Sequence, residues 1–69
     1  MLTREIMIAE NVKKYRKKLG LSQDALARKA DITYSSLLKI ENGNDPRVSS
    51  LIKIADALNV SLDELVGRK

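Results

Sequence analysis

The stretch from Leu21 to Gly43, LSQDALARKADITYSSLLKIENG, carries the strongest structural signal in this chain. Its apolar residues recur at helical spacing on both sides of a short corner, Asp31–Ile32–Thr33. These residues are Leu26, Ala27, Ala30, Ile32, Leu37 and Ile40. Ser22 and Thr33 stand where a hydroxyl accepts hydrogen bonds from the first amides of a helix. The stretch therefore predicts two short amphipathic helices, with the second seated across the first.

Capping residues and turn signals divide the whole chain into five predicted helices. They run from about Thr3 to Lys18 with Leu19–Gly20 closing the helix, from the Ser22 cap to near Ala30, from Tyr34 to about Glu41, from about Val48 to Leu58 with Asn59 ending the helix, and from the capping box Ser61–Leu62–Asp63–Glu64 to about Val66. Asn42–Gly43–Asn44–Asp45–Pro46 is a dense turn signal, and Gly43 suits a left-handed helix end. Because no segment alternates as a strand does, we expect an all-α fold, with residues 1–69 as a single domain.

Helical periodicity also predicts which residues build the core outside the central stretch. They are Ile8, Val12, Tyr15 and Leu19 in the first helix, Val48, Leu51, Ile54, Ala55 and Leu58 in the fourth, and Leu62 and Leu65 in the last.

Composition excludes several classes of protein. The chain has no cysteine and no histidine, so disulfides, thiolate chemistry and the commonest metal ligands are absent, and we expect no cofactor or metal. Its acidic residues are dispersed, which argues against an enzyme. No apolar run approaches the roughly 20 residues of a membrane span, and the N-terminus lacks a signal-peptide core. We therefore expect a cytoplasmic protein with no membrane partner.

Positive charge concentrates on the central part of the chain. The net charge is +4, while residues 11–47 hold nine basic and four acidic residues, a net +5. That distribution suits a polyanion, although a solvated lysine-rich face explains the charge equally well. Two helices at a tight corner, however, are the geometry of a helix-turn-helix, whose second helix enters the DNA major groove.

Four motifs in order resemble the Cro/repressor (XRE-like) family of phage and bacterial helix-turn-helix regulators. They are LGLSQDALA at 19–27, ADIT at 30–33, KIENG at 39–43 with Pro46 following, and LIKIADALNVSLDEL at 51–65. The resemblance covers nearly the whole chain. It implies a compact five-helix, lambda-repressor-like bundle that binds an operator as a dimer.

The resemblance, together with side-chain chemistry, gives nine candidate DNA-binding residues. They are Gln23, Thr33, Tyr34, Ser35, Ser36, Lys39, Asn42, Gly43 and Arg47. Tyr34, Ser35 and Lys39 match the family's base-contacting positions, and lysine can donate to guanine while tyrosine offers a hydroxyl and an apolar ring. Gln23, Ser36, Asn42 and Gly43 suit phosphate contacts, although Ser36 is equally a solvent-facing residue, and the resemblance implies that Gln23 also braces the recognition helix. Thr33 suits a base or a phosphate contact and is equally an N-cap, and Arg47 suits a phosphate or the edge of the minor groove.

Several of these candidates have a second interpretation. Gln23 is also an ordinary helix-start residue, Tyr34 and Lys39 also fit exposed surface positions, and Asn42 and Gly43 also end a helix. Additional backbone contacts could come from the lysines of the first helix, which are Lys13, Lys14 and Lys17.

Two further positions in the family have structural meaning. The resemblance implies that Arg16 and Glu41 form a partly buried ion pair that locks the first helix to the third. The chain departs from the family at Asp31, where glycine is common, and at Leu38, where a polar residue is common. Asp31 tolerates a left-handed turn. Leu38 fits a thymine methyl contact, a protein contact or a scattered surface leucine.

These observations predict a sequence-specific regulator of transcription that binds double-stranded DNA, as a repressor on a pseudo-palindromic operator. The dimer is expected to form through the C-terminal region, which holds Val60, Leu62, Leu65 and Val66. Because Leu62 and Leu65 are expected in the core, Val66 and the end of the fourth helix are the better interface candidates. The alternative is an antitoxin, a protein-interaction module of the same fold that neutralises a toxin and binds its own promoter. The sequence leaves open the operator, the regulated genes and any inducer.

Overall fold

A computed structural model describes residues 3–44 and 47–67 of the chain. It contains five helices, α1 (Arg4–Lys18), α2 (Gln23–Ala30), α3 (Tyr34–Glu41), α4 (Val48–Leu58) and α5 (Leu62–Val66). Within those two ranges no residue is in a strand, so the predicted all-α class is confirmed. The predicted turn residues Asp45 and Pro46 lie outside the described ranges.

Side-chain hydroxyls begin four of the helices. Thr3, Ser22, Thr33 and Ser61 each accept a hydrogen bond from the backbone amide three residues later, at 3.0–3.2 Å. The Glu64 carboxylate accepts in return from the Ser61 amide at 3.4 Å, which completes the predicted capping box. These bonds satisfy amides that have no partner inside a helix, and so they fix where each helix begins.

Helices α2 and α4 each end at a non-glycine residue in the left-handed backbone conformation. Asp31 has φ 58° and ψ 45° after α2, and Asn59 has φ 57° and ψ 43° after α4. The Ile32 amide then donates to the Ala27 carbonyl at 3.0 Å, which turns the chain sharply toward α3. The predicted left-handed turn at Asp31 is therefore confirmed. Gly43, with φ 85°, plays the corresponding part after α3.

The helices pack around one apolar core. α1 lies against α3 and α5, α2 lies against α3 and α4, and α4 closes on α5. The fully buried large side chains are Val12, Leu26, Leu37, Ile54 and Leu65. Tyr15 and Ile32 are only half-buried and pack against the edge of this core. As a result, α3 is held by neighbours on one side and is open on the other.

Three predicted core residues are exposed, and the prediction was wrong for each. Val48 is 64% exposed, Leu19 is 50% exposed and Leu62 is 37% exposed. All three lie at a helix end, where side chains with the correct angular position extend beyond the neighbouring helices. Periodicity gives the direction of a side chain around the helix axis, but it does not give the length of the surface that covers it.

Among the described residues, no helix has both the length and the apolar content that crossing a membrane requires.

The left-handed turn at Asp31 makes a testable prediction about backbone strain. Because only glycine adopts this conformation without a steric cost, we expect Asp31→Gly to be more stable than Asp31→Ala by about 1 kcal/mol. Exposed Asp56 lies inside α4 and provides the matched control, since Ala is favoured over Gly there by about 1 kcal/mol. Urea unfolding followed by circular dichroism measures all four variants. The same order of stability at both positions would contradict this account of the turn.

Candidate nucleic-acid interface

Helix α3 divides into a face that anchors it and a face that is open. Leu37, Ile40 and Glu41 are buried against the rest of the fold. Ser35 and Lys39 are exposed on the opposite side, and Tyr34 at the start of the helix is 47% exposed. The three predicted base-contacting residues are therefore all exposed.

An ion pair between Arg16 and Glu41 joins α1 to the end of α3. Arg16 Nε donates to Glu41 Oε2 at 2.8 Å, and Arg16 Nη2 donates to Glu41 Oε1 at 3.1 Å. Arg16 Nη1 also donates to the Leu21 carbonyl at 3.0 Å. The Glu41 side chain is 2% exposed and the Arg16 side chain is 11% exposed. A bidentate ion pair that is nearly excluded from water fixes the relative positions of its two side chains far better than an exposed ion pair does.

Gln23 connects this ion pair to the open face of α3. Its Nε2 donates to Glu41 Oε1 at 3.0 Å, and its Oε1 accepts from the Tyr34 hydroxyl at 3.3 Å. Gln23 is half-buried at the first position of α2. The resemblance implied that Gln23 braces α3, but the partners and directions of these two bonds were not predicted, because nothing local indicates which atoms of Gln23 face α3.

A small group of hydroxyls surrounds the start of α3. Thr33 Oγ1 accepts from the Ser36 amide at 3.1 Å and donates to Ser36 Oγ at 2.7 Å. The Thr33 hydroxyl is therefore engaged as the helix cap. Since Ser36 accepts that hydrogen, its own hydroxyl hydrogen is available to donate to a phosphate. Ser35 Oγ lies 3.5 Å from Thr33 Oγ1 and is exposed.

The end of α3 places the remaining candidates. The Gly43 amide donates to the Ile40 carbonyl at 3.2 Å, so a phosphate at Gly43 would have to share that hydrogen. The Asn42 side chain is exposed and is the better donor of the two. Lys13 and Glu10 of α1 line the same shallow depression as Asn42 and Gly43, so one positive and one negative charge lie beside them.

Arg47 and Leu38 differ in how much of each side chain is exposed to solvent. Arg47 is exposed at the N-cap position of α4, and its side chain makes no capping hydrogen bond. Leu38 is half-buried, so it presents less apolar surface than the sequence suggested. Lys14 Nζ lies 4.9 Å from the centroid of the Tyr15 ring.

In the part of the chain that the structure describes, no three acidic residues come close enough together to hold a metal ion.

Comparison with known proteins identifies the family. The family model described as helix-turn-helix matches residues 12–65, which include α2, α3 and α4 entirely. The chain belongs to the helix-turn-helix family. The family's Cro/repressor type, expected from the motifs, is thereby confirmed.

Two curated members of the family have regulatory names. The chain is 40% identical over 62 residues to the cryptic phage CTXphi transcriptional repressor RstR of Vibrio cholerae, covering 88% of this chain and 55% of RstR. It is 37% identical over 65 residues to the transcriptional regulator SinR of Bacillus subtilis, covering 91% of this chain and 59% of SinR. The chain thus spans a little over half the length of the curated relatives it matches.

Two solved structures superimpose closely on this chain. An HTH_3 family transcriptional regulator from Vibrio cholerae has a TM-score of 0.82 at 34% identity, over 91% of this chain and 36% of that protein. The restriction-modification controller protein C.AhdI from Aeromonas hydrophila has a TM-score of 0.83 at 26% identity, over 88% of this chain and 94% of C.AhdI. The arrangement of the five helices is therefore that of the family.

The ion pair makes a prediction about stability. We expect Glu41→Ala to lower the free energy of unfolding by about 3–5 kcal/mol, because it leaves the nearly buried Arg16 guanidinium without a counter-charge. Arg47→Ala serves as the control, since an exposed side chain away from such features contributes within about 0.5 kcal/mol. Thermal and urea unfolding measure both variants, and equal melting temperatures would contradict the structural role of the pair.

Proposed function

We propose that this chain binds double-stranded DNA sequence-specifically and regulates transcription, as a repressor that occupies a pseudo-palindromic operator as a dimer. It acts in the cytoplasm and without catalysis or a cofactor. Relatives named as transcriptional repressors or regulators support this proposal.

One observation carries the proposal, which is the division of α3 into an anchored and an open face. Glu41 is fixed by two hydrogen bonds from Arg16, while the side chains of Tyr34 and Lys39 are exposed. An α-helix held in this way fits the major groove, whose width of about 12 Å admits one helix. Lys39 then donates to guanine O6 or N7, and Ser35 donates or accepts.

Phosphate contacts would flank the helix on both sides. Gln23 Nε2 uses one hydrogen for Glu41 and has a second to donate to a phosphate. At the other end of α3, the Asn42 side chain and Lys13 supply a donor and a charge, and Arg47 follows in the chain. Contacts on both sides fix the register of the helix on the duplex, which is what sequence recognition requires.

The C-terminal region is the proposed dimer surface. Leu65 has no exposed surface, so it belongs to the core and not to an interface. Leu62 is 37% exposed, and Ile52 of α4 is 49% exposed although it was not among the candidates. A twofold dimer through this region would present two copies of α3 to half-sites about 34 Å apart.

Selection from random double-stranded DNA tests the function directly. We expect the purified protein to enrich a motif with two half-sites, and Lys39→Ala to lose the preference at one position of each half-site. The loss should be about 1–3 kcal/mol on the selected site, with little change on unrelated DNA.

Two results would count against these assignments. If Lys39→Ala weakens binding to all sequences alike, Lys39 contacts a phosphate and not a base. If the wild-type protein enriches no motif, sequence-specific DNA binding is wrong, and the protein-interaction alternative, an antitoxin, becomes the better proposal.

Arg47 makes a separate prediction about salt dependence. If Arg47 neutralises one phosphate, Arg47→Ala should reduce the slope of log K against log salt by about one unit. Lys53→Ala is the matched control, because Lys53 is an exposed basic residue of α4 that is not among the candidate DNA-binding residues. Its Nζ lies 3.4 Å from the Asp31 carbonyl of the α2–α3 turn. Fluorescence anisotropy titrations on the selected duplex between 50 and 200 mM salt, roughly the range over which the effect is large, measure both slopes. An unchanged slope for Arg47→Ala would exclude a phosphate contact.

A further inference from the structure

We propose that buried Glu41 determines which bases Tyr34 selects, because it fixes the direction of each hydrogen bond between them. The chain of bonds from Arg16 through Glu41 and Gln23 to Tyr34 is here called the polar relay. This inference rests on the DNA-binding function proposed above, and it adds the residues that set base preference at one position of each half-site.

The first step in the polar relay is the orientation of the Gln23 amide. A carboxylate paired with arginine accepts hydrogen bonds and donates none. Glu41 Oε1 lies 3.0 Å from the Gln23 side-chain amide, and the Glu41 side chain is almost completely shielded from water. The group of Gln23 that faces Glu41 must therefore be its NH₂. Its carbonyl oxygen, Oε1, is left facing Tyr34.

The second step is the direction of the Tyr34 hydroxyl. Gln23 Oε1 is a carbonyl oxygen, so it can only accept, and Tyr34 Oη lies 3.3 Å from it. The single hydroxyl hydrogen of Tyr34 is therefore used inside the protein. Only lone pairs on Oη remain for an external partner, and the hydroxyl presents itself to DNA as an acceptor.

An acceptor at this place distinguishes the bases by their exocyclic groups. In the major groove, cytosine N4 and adenine N6 donate hydrogen bonds, whereas guanine O6, thymine O4 and the phosphate oxygens accept them. Tyr34 therefore favours the amine bases, cytosine and adenine, over the keto bases, guanine and thymine. The same reasoning removes Tyr34 as a donor to phosphate. Glu41 touches no DNA in this proposal and acts as a positioning residue.

The size of the preference follows from one neutral hydrogen bond. Such a bond contributes a net preference of roughly three- to tenfold, and an unpaired acceptor facing a keto oxygen acts in the same direction. Lys39 and Ser35 keep their own contacts at other positions, so the effect should be confined to a single base pair of each half-site.

Binding measurements on a panel of duplexes test the polar relay. The probe is the duplex recovered by selection, with each half-site position replaced in turn by all four base pairs, and Kd is measured by fluorescence anisotropy. Tyr34→Phe removes the hydroxyl, and we expect it to abolish the amine preference at one position. Gln23→Met removes the carbonyl that holds the hydroxyl hydrogen, so it should bring the amine-to-keto ratio at that position close to one.

A matched control separates this effect from a general loss of a hydroxyl. Tyr15 is half-buried in α1 and lies outside the polar relay, so Tyr15→Phe should retain the wild-type ratio at every position. Gln23→Met also loses a phosphate contact, which lowers affinity for all duplexes alike and leaves the ratios interpretable. Thermal unfolding of each variant checks that the fold is intact.

Three results would overturn the proposal. They are a wild-type preference for guanine or thymine at the position that responds to Tyr34→Phe, no position that responds, and a full wild-type ratio in Gln23→Met.

An NMR measurement on the protein without DNA distinguishes failure of the polar relay from failure of DNA binding. The Gln23 side-chain ¹⁵N and ¹³Cδ resonances should shift in Tyr34→Phe and stay in place in Tyr15→Phe. If they shift but no DNA binds, the proposed function is wrong and the base preference is rejected with it. If they do not shift, the bond directions themselves are rejected, whatever the protein binds.

Discussion

The burial of one carboxylate constrains the rest of this structure. Among the described residues, Glu41 is the only charged side chain that is buried. Removing an ion from water costs several kcal/mol, so the fold must surround Glu41 with hydrogen-bond donors. Arg16 supplies two from α1 and Gln23 supplies one from α2. One carboxylate thereby ties three helices together, and α3 cannot rotate without breaking these bonds.

The same carboxylate explains why α3 has so sharp a division between its faces. Leu37 and Ile40 alone would allow the helix to adjust its position, because apolar contacts have no direction. Hydrogen bonds to Glu41 add direction, and they do so at the last residue of a helix of only eight. The open surface carrying Tyr34 and Lys39 is consequently held at a fixed angle to the rest of the fold.

Local chemistry made most of the fold predictable from the sequence. Ser22, Thr33 and Ser61 cap the helices that follow them, and capping depends only on residues within one turn. The exposed ends at Val48 and Leu62 were mispredicted because their burial depends on how far other helices extend. The contacts of Gln23 were harder to predict, because its side-chain amide has a donor NH₂ and an acceptor oxygen. Only the assembled fold determines which of the two faces Glu41. The family motifs placed the candidate site on α3, but they could not give the direction of its hydrogen bonds.

The positions of the two tyrosines have a consequence for spectroscopy. The chain has no tryptophan and no phenylalanine, so Tyr15 and Tyr34 are its entire set of aromatic chromophores. Tyr15 packs against the core, whereas Tyr34 lies on the open face of α3 with its hydroxyl bonded to Gln23. Near-ultraviolet absorption and emission therefore come from two distinct environments, one internal and one at the surface. Tyr34 is therefore an intrinsic spectroscopic probe on α3, the helix that carries the candidate base-contacting residues.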